Sequence, residues 1–141
     1  MLRIIYLSSS VEYLNSKEIE SLLSRSRKKN LKNDITGLLL YADGDFLQVI
    51  EGPKVAMLDL FESIKKDSRH KAIITIANKE IDKIHFPKWN MGFYNSDYEE
   101  LRKIKGYKNI SRETLSKISD KMALAFIDSF IASHQSKFVF V

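Results

Sequence analysis

The chain contains no cysteine among its 141 residues. This absence excludes disulfide bonds, thiolate metal sites and cysteine nucleophiles, together with any redox chemistry that needs a protein thiol. The three histidines, His70, His85 and His134, are scattered along the chain and lack the spacing of metal ligands. We therefore predict neither a structural nor a catalytic zinc site.

Long hydrophobic runs are also missing, and none approaches the ~20 apolar residues that a membrane span needs. The apolar stretch within residues 1–14 is short, rich in β-branched side chains and without a small-residue cleavage site. It therefore predicts a strand rather than a signal peptide. A hydrophobic fraction of 44% is enough to build one core. We expect a cytoplasmic protein of one main domain that does not enter a membrane.

The net charge is +5, and much of the excess lies in RSRKKNLKN, residues 25–33. Cations at the carboxyl end of a helix interact favourably with the helix dipole. We therefore interpret this run as a solvated helix end. A phosphate-bearing ligand or a nucleic acid is the alternative that the charge leaves open.

The first half of the chain alternates between strand and helix patterns. Residues 2–10 are β-branched and aromatic and predict a strand. A helix capped by Asn15 or Ser16 follows. Two apolar runs then meet at residues 42–45, where an Asp-Gly pair predicts a tight hairpin between strands two and three. The apolar face of the first helix consists of Ile19, Leu22 and Leu23.

A second helix is predicted to begin near Pro53. Residues 70–82 predict a fourth strand, and a fifth strand is expected to begin after Pro87. The order β-α-β-β-α-β-β predicts an α+β fold with a ferredoxin-like sheet and two helices on one face. Helical spacing predicts that the second helix buries Val55, Leu58, Phe61 and Ile64.

After Tyr94, helical patterns replace strand patterns. Residues 96–106 predict a short helix, and residues 111–135 predict one or two more. We expect these helices to cap the sheet face that the first two helices leave bare. The chain therefore divides into a sheet domain at 1–95 and a C-terminal helical extension at 96–141. The predicted apolar stripe of the extension consists of Ile118, Met122, Ala125, Phe126 and Ser129.

The chain ends in FVFV, residues 138–141. Exposed apolar groups of this kind usually form an interface. Together with the apolar stripe, they predict an interface.

One polar residue stands inside the apolar run DFLQVIEG, residues 45–52. A primary amide in such a run must be hydrogen-bonded, or it lowers stability. Gln48 therefore predicts a polar partner on its own face of strand three. Alternation along the strand places Phe46, Gln48 and Ile50 on one face, and Leu47, Val49 and Glu51 on the other.

Several separated motifs together resemble one known family. Tyr6, Asn30 and Gln48 occur with the blocks ITGLLLYADGDFLQVIEG, KKDSRH and FPKWNMGF. These blocks have the order and the separations found in BLUF domains, the blue-light sensors that use FAD. The resemblance covers residues 2–94, about two-thirds of the chain. The chain is therefore similar to a BLUF domain of the short, single-domain type. Relatives of that type form dimers and larger rings, so the resemblance implies a homo-oligomer.

The resemblance implies a photochemical pair. The phenol of Tyr6 can donate a hydrogen bond, and the amide of Gln48 has both a donor and an acceptor end. In the family, light drives electron and proton transfer from this tyrosine to a non-covalently bound flavin. The network of the glutamine then rearranges, and the absorption of the flavin shifts to the red.

The resemblance also implies the surroundings of the flavin, which is FAD, or else FMN or riboflavin, held between the two helices. It assigns Asn30 to the edge of the flavin ring, through its side-chain amide, and Ser26 to a position near the Tyr-Gln pair. Trp89 and Met91 correspond to the two positions that exchange proximity to the glutamine and relay the signal. The stretch near the ribityl chain and phosphates corresponds to Asp67, Arg69 and His70.

Each of these residues, taken singly, has an ordinary structural explanation. Tyr6 could be a core tyrosine bonded to backbone, and Gln48 could lie on an uncovered sheet face. Asn30 could be a helix C-cap. Trp89 and Met91 could fill the core, and Arg69 with His70 could form a solvated loop. Their coincidence within one fold order favours the flavin site.

Two other functions compete with a photoreceptor. RNA-binding ferredoxin-like modules share the βαββαβ order, but they read bases with aromatics exposed on strands one and three. The run DFLQVIEG lacks that pattern. An enzyme, such as a dark flavin reductase, would need a catalytic motif that is not present. We therefore expect no enzymatic activity, no nucleic acid, and output through a downstream protein partner, because about 45 residues of extension cannot hold an effector domain.

Overall fold

The computed structural model describes residues 1–104 and 106–134. The predicted apolar end at residues 138–141 lies outside the described residues. The strands are β1 (Leu2–Ser10), β2 (Thr36–Ala42), β3 (Asp45–Gly52), β4 (His70–Glu80) and β5 (Gly92–Ser96). The helices are α1 (Ser16–Lys32), α2 (Lys54–Lys66), α3 (Tyr98–Arg102), α4 (Arg112–Leu115) and α5 (Asp120–His134).

The five strands form one sheet in the order β4-β1-β3-β2-β5. All neighbouring strands run antiparallel except β2 and β5, which are parallel. The first four strands have the order of a ferredoxin-like sheet, and β5 extends it at the β2 edge. The predicted α+β fold class is confirmed.

Local chemistry explains where several elements start and stop. Asn15 caps α1 by accepting a hydrogen bond from the amide of Glu18, whose carboxylate reaches back to the Asn15 amide. Asp43 and Gly44 both have positive φ, 50° and 86°, as the predicted Asp-Gly hairpin between β2 and β3 requires. Both predictions are confirmed.

The sheet separates two apolar clusters. The front face is covered by α1 and α2 and includes Tyr6, Phe46 and Ile50. The rear face is covered by the C-terminal helices and includes Leu47 and Val49 with α5 residues such as Phe126. The predicted alternation along β3 and the predicted covering of the second face are therefore both observed.

The buried sides of two helices differ from the predicted ones. Helix α2 buries Met57 and Phe61, whereas Val55 and Leu58 are 73% and 42% exposed. Both helices carry apolar residues on more than one side, so helical spacing fits two registers and packing against the sheet selects one. Helix α5 buries Ala123, Phe126, Ile127 and Phe130, and the predicted stripe positions Met122 and Ala125 are exposed.

Strand β5 begins at Gly92 and not directly after Pro87, so the prediction of a strand through Trp89 and Met91 was wrong. The carbonyls of these residues are bonded elsewhere. Trp89 O accepts from the amide of Gly37 at 2.9 Å. The carbonyls of the next two residues accept from side chains of α1, namely Asn30 Nδ2 to Asn90 at 2.7 Å and Arg27 Nε to Met91 at 3.1 Å.

Candidate functional site

Tyr6 and Gln48 lie directly opposite each other on β1 and β3, with both side chains buried on the front face. The phenol of Tyr6 donates a hydrogen bond to Oε1 of Gln48. Burial raises the pKa of Tyr6 well above its ordinary value, and the nearby carboxylate of Asp67 raises it further. The phenol therefore keeps its proton and remains a donor in the resting protein.

The other end of the Gln48 amide faces a methionine. Its Nε2 donates to the Sδ atom of Met91 at 3.4 Å. A thioether sulfur is a weak acceptor, and a primary amide carries two N–H donors. Gln48 is thus strongly bonded at its oxygen and weakly bonded at its nitrogen, although it is only 8% exposed.

A cleft of about 230 Å³ opens above this pair, between α1 and α2. Tyr6 and Gln48 lie among the residues that line it, and Arg25, Lys29 and Arg69, which are exposed, also line it. The cleft therefore combines an apolar slot with a polar contact point and basic groups that solvent can reach. Its apolar lining consists of Leu14, Leu22, Leu39, Phe46, Leu60, Ile64 and Met91.

Helix α1 contributes Ser26 and Asn30, one helical turn apart, to the lining. Asn30 is 2% exposed, and its Nδ2 holds the carbonyl of Asn90. The C-cap of α1 is Asn33, so the ordinary explanation of Asn30 as a helix cap is excluded. Asn30 joins the cleft to the segment that leads into β5.

Asp67, Arg69 and His70 also line the cleft, at the junction of α2 and β4. The Arg69 guanidinium holds both carboxylate oxygens of Asp67, and this hydrogen bonding lowers the pKa of Asp67 to about 2. The ring of His70 contacts Ser8 Oγ at 2.9 Å and the Ile64 carbonyl at 2.5 Å. Both ring nitrogens of His70 thus have polar partners within the chain, and its side chain links β4 to β1 and to α2.

Trp89 and Met91 lie on opposite sides of the sheet. Met91 is 1% exposed and packs in the front cluster beside Gln48. Trp89 is half-buried and packs against the rear cluster, with its ring stacked on that of Phe86 at 5.9 Å and 13°. The structure therefore brings Met91, and not Trp89, to the glutamine.

Three residues of the site, Arg25, Arg27 and Asn90, were not singled out from the sequence. Arg25 and Lys29 belong to the basic run that was interpreted as a solvated helix end, with a phosphate-bearing ligand as the alternative, and both line the cleft. Their spacing of four residues, beside Ser26 and Asn30, puts them on the same side of α1 and could have identified them. Nothing in the sequence pattern indicated that Arg27 and Asn90 bind backbone carbonyls around the site.

The described residues argue against the RNA-binding alternative. Every residue of β3 is buried, and so is every residue of β1 except the half-buried Ser10. A sheet that reads RNA exposes aromatic rings on these strands, whereas here both faces are covered. Within the described ranges, no group of three histidine, aspartate or glutamate side chains could hold a metal ion, and no helix is long and apolar enough to cross a membrane.

The residues present fit a flavin. A flat aromatic ring system matches the apolar slot, and a polar ring edge matches the weakly bonded Gln48 nitrogen beside the Tyr6 phenol. Phosphate groups match the basic side chains at the exposed part of the lining. The arrangement can therefore hold an aromatic anion and can change the direction of one hydrogen bond at its ring.

The model of the BLUF family, described as sensors of blue light using FAD, matches residues 1–92. Among characterised proteins, the photoactivated adenylate cyclase subunit beta of Euglena longa is 31% identical over 87 residues, which are 61% of this chain. Those residues are 10% of that protein, so the chain spans about a tenth of the length of curated relatives that it matches.

Solved structures of similar length match most of the chain. The dark state of BlrB, a BLUF protein, aligns with a TM-score of 0.71 and 30% identity over 94% of this chain and 96% of that one. The ground state of BlsA aligns with a TM-score of 0.75 and 28% identity over 90% and 85% of the two chains.

Proposed function

The chain belongs to the BLUF family of blue-light sensors that use FAD, and we propose that it is a photoreceptor that holds FAD in the cleft between α1 and α2. The proposal assigns the photochemical role to Tyr6 and Gln48. It assigns contacts with the flavin to Ser26, Asn30, Asp67, Arg69 and His70, and the relay of the signal to Trp89 and Met91.

One observation carries this proposal: the Gln48 amide is bonded asymmetrically. Its oxygen accepts from the Tyr6 phenol, and its nitrogen meets only the thioether of Met91 among the residues that the structure describes. Rotation of the amide would exchange the partners of its oxygen and nitrogen, and tautomerisation would turn the accepting oxygen into an O–H donor. The site therefore has two hydrogen-bonding states of similar shape, as a switch requires.

When bound, the flavin would supply the absorption of blue light and an acceptor for the electron and proton that Tyr6 can give up. The chain supplies the remaining parts. Burial keeps Tyr6 protonated until then, as its raised pKa indicates. Leu39, Phe46 and Ile64 line the slot and limit access of water to the pair.

The side chains around the cleft favour FAD over riboflavin. Arg25, Lys29 and Arg69 are exposed residues of the lining, where they can meet phosphate groups. Asp67 neutralises part of the charge of Arg69 and orients its guanidinium. FMN, which also carries phosphate, is the nearest alternative.

We further propose that residues 1–95 form the flavin-binding domain and that residues 96–141 form an extension that passes the signal to a downstream protein partner. The extension packs directly on the sheet, where Phe126 contacts the cluster that contains Val49. The chain itself would act as a sensor in a homo-oligomer rather than as a catalyst.

The test is absorption spectroscopy on the purified flavoprotein in the dark and after blue light. We expect the wild type to be yellow and to show a small, reversible red shift. Gln48→Leu should keep the flavin and lose the red shift, because leucine cannot bond to Tyr6 or to the ring. Tyr6→Phe should lose it too, because the ring remains but the hydroxyl is gone.

Tyr41→Phe is the matched control. Tyr41 is also buried on the front face, and its hydroxyl meets Ser10 at 3.2 Å, away from Gln48. This variant should keep the full red shift. A full red shift in Gln48→Leu would contradict the role proposed for Gln48, and a chain that binds no flavin would defeat the proposed function.

A further inference from the structure

Glu51 is a fully buried carboxylate on the rear face of β3, three residues beyond Gln48. It lies directly opposite Arg3 of β1, whose guanidinium donates through Nε at 3.1 Å and pairs through Nη2 at 3.0 Å. Both side chains are buried, so each needs the other: an unpartnered buried charge is strongly destabilising.

The same carboxylate binds the segment between β4 and β5. It accepts the amide of His85 at 3.0 Å through each oxygen and the amide of Phe86 at 2.9 Å through Oε1. Hydrogen bonds from backbone amides to a charged acceptor are stronger than those to a neutral one. Glu51 is thus an anchor for the backbone at Phe86, and the cleft lining does not include it.

The stretch of chain that connects this anchor to the site is short and constrained. Pro87 follows at once and has a fixed φ, and the Trp89 ring stacks on the ring of Phe86. Met91, five residues beyond Phe86, then reaches Gln48 on the other face of the sheet. Strand β3 therefore contacts this segment twice, through Gln48 in front and through Glu51 behind.

We propose that Glu51 is a positioning residue that places Met91 against Gln48 and Trp89 against the rear cluster. It acts by holding the His85 and Phe86 amides, without touching the flavin. The inference rests on the proposed function, since the positioned contact is the one that is assigned to the light response.

The decisive variant is Glu51→Gln: the Arg3 guanidinium, which donates only, holds the single remaining oxygen at the position of Oε2, and the amide nitrogen then replaces Oε1, the acceptor of the Phe86 amide. We expect full flavin binding, because Glu51 is outside the cleft. The rate at which the red shift decays in the dark should change by about tenfold or more. Effects of this size are found when a residue that orients a group of a functional site is replaced. Emission of Trp89, the single tryptophan of the chain, should move to longer wavelength in the dark as its ring becomes more solvated.

Two controls match this change. Glu80→Gln makes the same substitution in an exposed pair with Lys54, at 3.1 Å, and should leave both readouts as in the wild type. Arg3→Lys keeps a cation beside Glu51 and leaves the anchor for the backbone in place, so it should also keep both readouts.

If Glu51→Gln does not fold, Glu51→Asp replaces it. That variant keeps the charge for Arg3 but withdraws the carboxylate from the amides by about one bond length, ~1.5 Å. Wild-type recovery and wild-type Trp89 emission in whichever variant folds would overturn the proposal. A wild type without any red shift would instead defeat the proposed function, and the dark emission of Trp89 would still decide the positioning role of Glu51.

Discussion

The polar side chains on the two faces of β3 differ in how completely they are hydrogen-bonded. On the front face, Gln48 has one strong partner and one weak one beside an open cleft. On the rear face, Asp45 and Glu51 are buried, and each accepts hydrogen bonds through both carboxylate oxygens. The difference indicates that the two faces have separate roles. The polar contacts of the rear face hold the sheet in place, while one hydrogen bond on the front face can change.

Ring contacts and hydrogen bonds tie the C-terminal helices to the rear face of the sheet. Phe126 and Phe130 of α5 are buried against Tyr94 of β5, and the rings of Tyr94 and Phe130 meet edge to face at 4.9 Å and 84°. Asp45 accepts from Ser9 Oγ at 2.8 Å and from the Tyr98 hydroxyl at 2.6 Å. These contacts join α3 and α5 to the sheet without any cavity lined by the site residues.

The largest effect is expected from a substitution that disrupts the packing of the rear face. Phe126→Ala should lower the free energy of unfolding by about 3–5 kcal/mol, because the lost side chain leaves a cavity in a sealed core. Phe126 is fully buried. Chemical denaturation of the flavin-free protein measures the loss. At temperatures where the variant is folded, its red shift should persist.

Met122→Ala is the matched control on the same helix. Met122 is 59% exposed, and its truncation should change stability by less than about 0.5 kcal/mol. Equal losses in the two variants would show that α5 does not pack as described.

A smaller effect is expected at the polar contacts of the rear face. Asp45→Asn should destabilise the protein by about 1–3 kcal/mol, because asparagine has one accepting oxygen where the carboxylate has two, and either Ser9 or Tyr98 loses its acceptor. Asp59→Asn, on the exposed side of α2, should be close to neutral. Urea unfolding of both variants measures the loss of stability. An Asp45→Asn variant as stable as the wild type would show that these polar contacts do not hold the rear face in place.

The smallest effect is expected at the rim of the front face. The Arg69 guanidinium lowers the pKa of Asp67 from 3.8 to about 2, so folding favours the ionised form. Its contribution is therefore present above about pH 4 and is lost as the pH falls towards 2. Since the pair is largely exposed to solvent, we expect less than about 1 kcal/mol.

The measurement is the difference in unfolding free energy between the wild type and Asp67→Asn at a series of pH values. The difference should be constant above pH 4 and should shrink towards zero between pH 4 and pH 2. A difference that grew on acidification would contradict the ion pair with Arg69.

Much of the fold could be predicted from the sequence, because strand alternation and the Asp-Gly turn are local patterns. The start and end of β1 and the opposed faces of β3 were predicted as observed. The buried sides of α2 and α5 were not, because each helix has apolar residues on two sides and only packing decides between them. The start of β5 was missed because α1 side chains capture the carbonyls of Asn90 and Met91.

The site shows the same limit. The resemblance to BLUF domains predicted that Tyr6, Gln48 and Asn30 share one site, and all three line one cleft. Which of Trp89 and Met91 lies beside Gln48 depends on how the segment before β5 crosses the sheet. The carboxylate that anchors this segment, Glu51, appears in the sequence only as one more residue of a buried strand.

The position of β1 inside the sheet has a consequence for the order of folding. Its neighbours β3 and β4 both come much later in the chain, and Tyr6 is 42 residues from Gln48. The β2–β3 hairpin closes over two turn residues and can form on the microsecond scale of short loops, ~1–10 μs. Strand β1 can pair with this hairpin only when a long loop closes, and the closure of that loop costs conformational entropy. We therefore expect the contact between the Tyr6 phenol and the Gln48 amide to form after the β2–β3 hairpin.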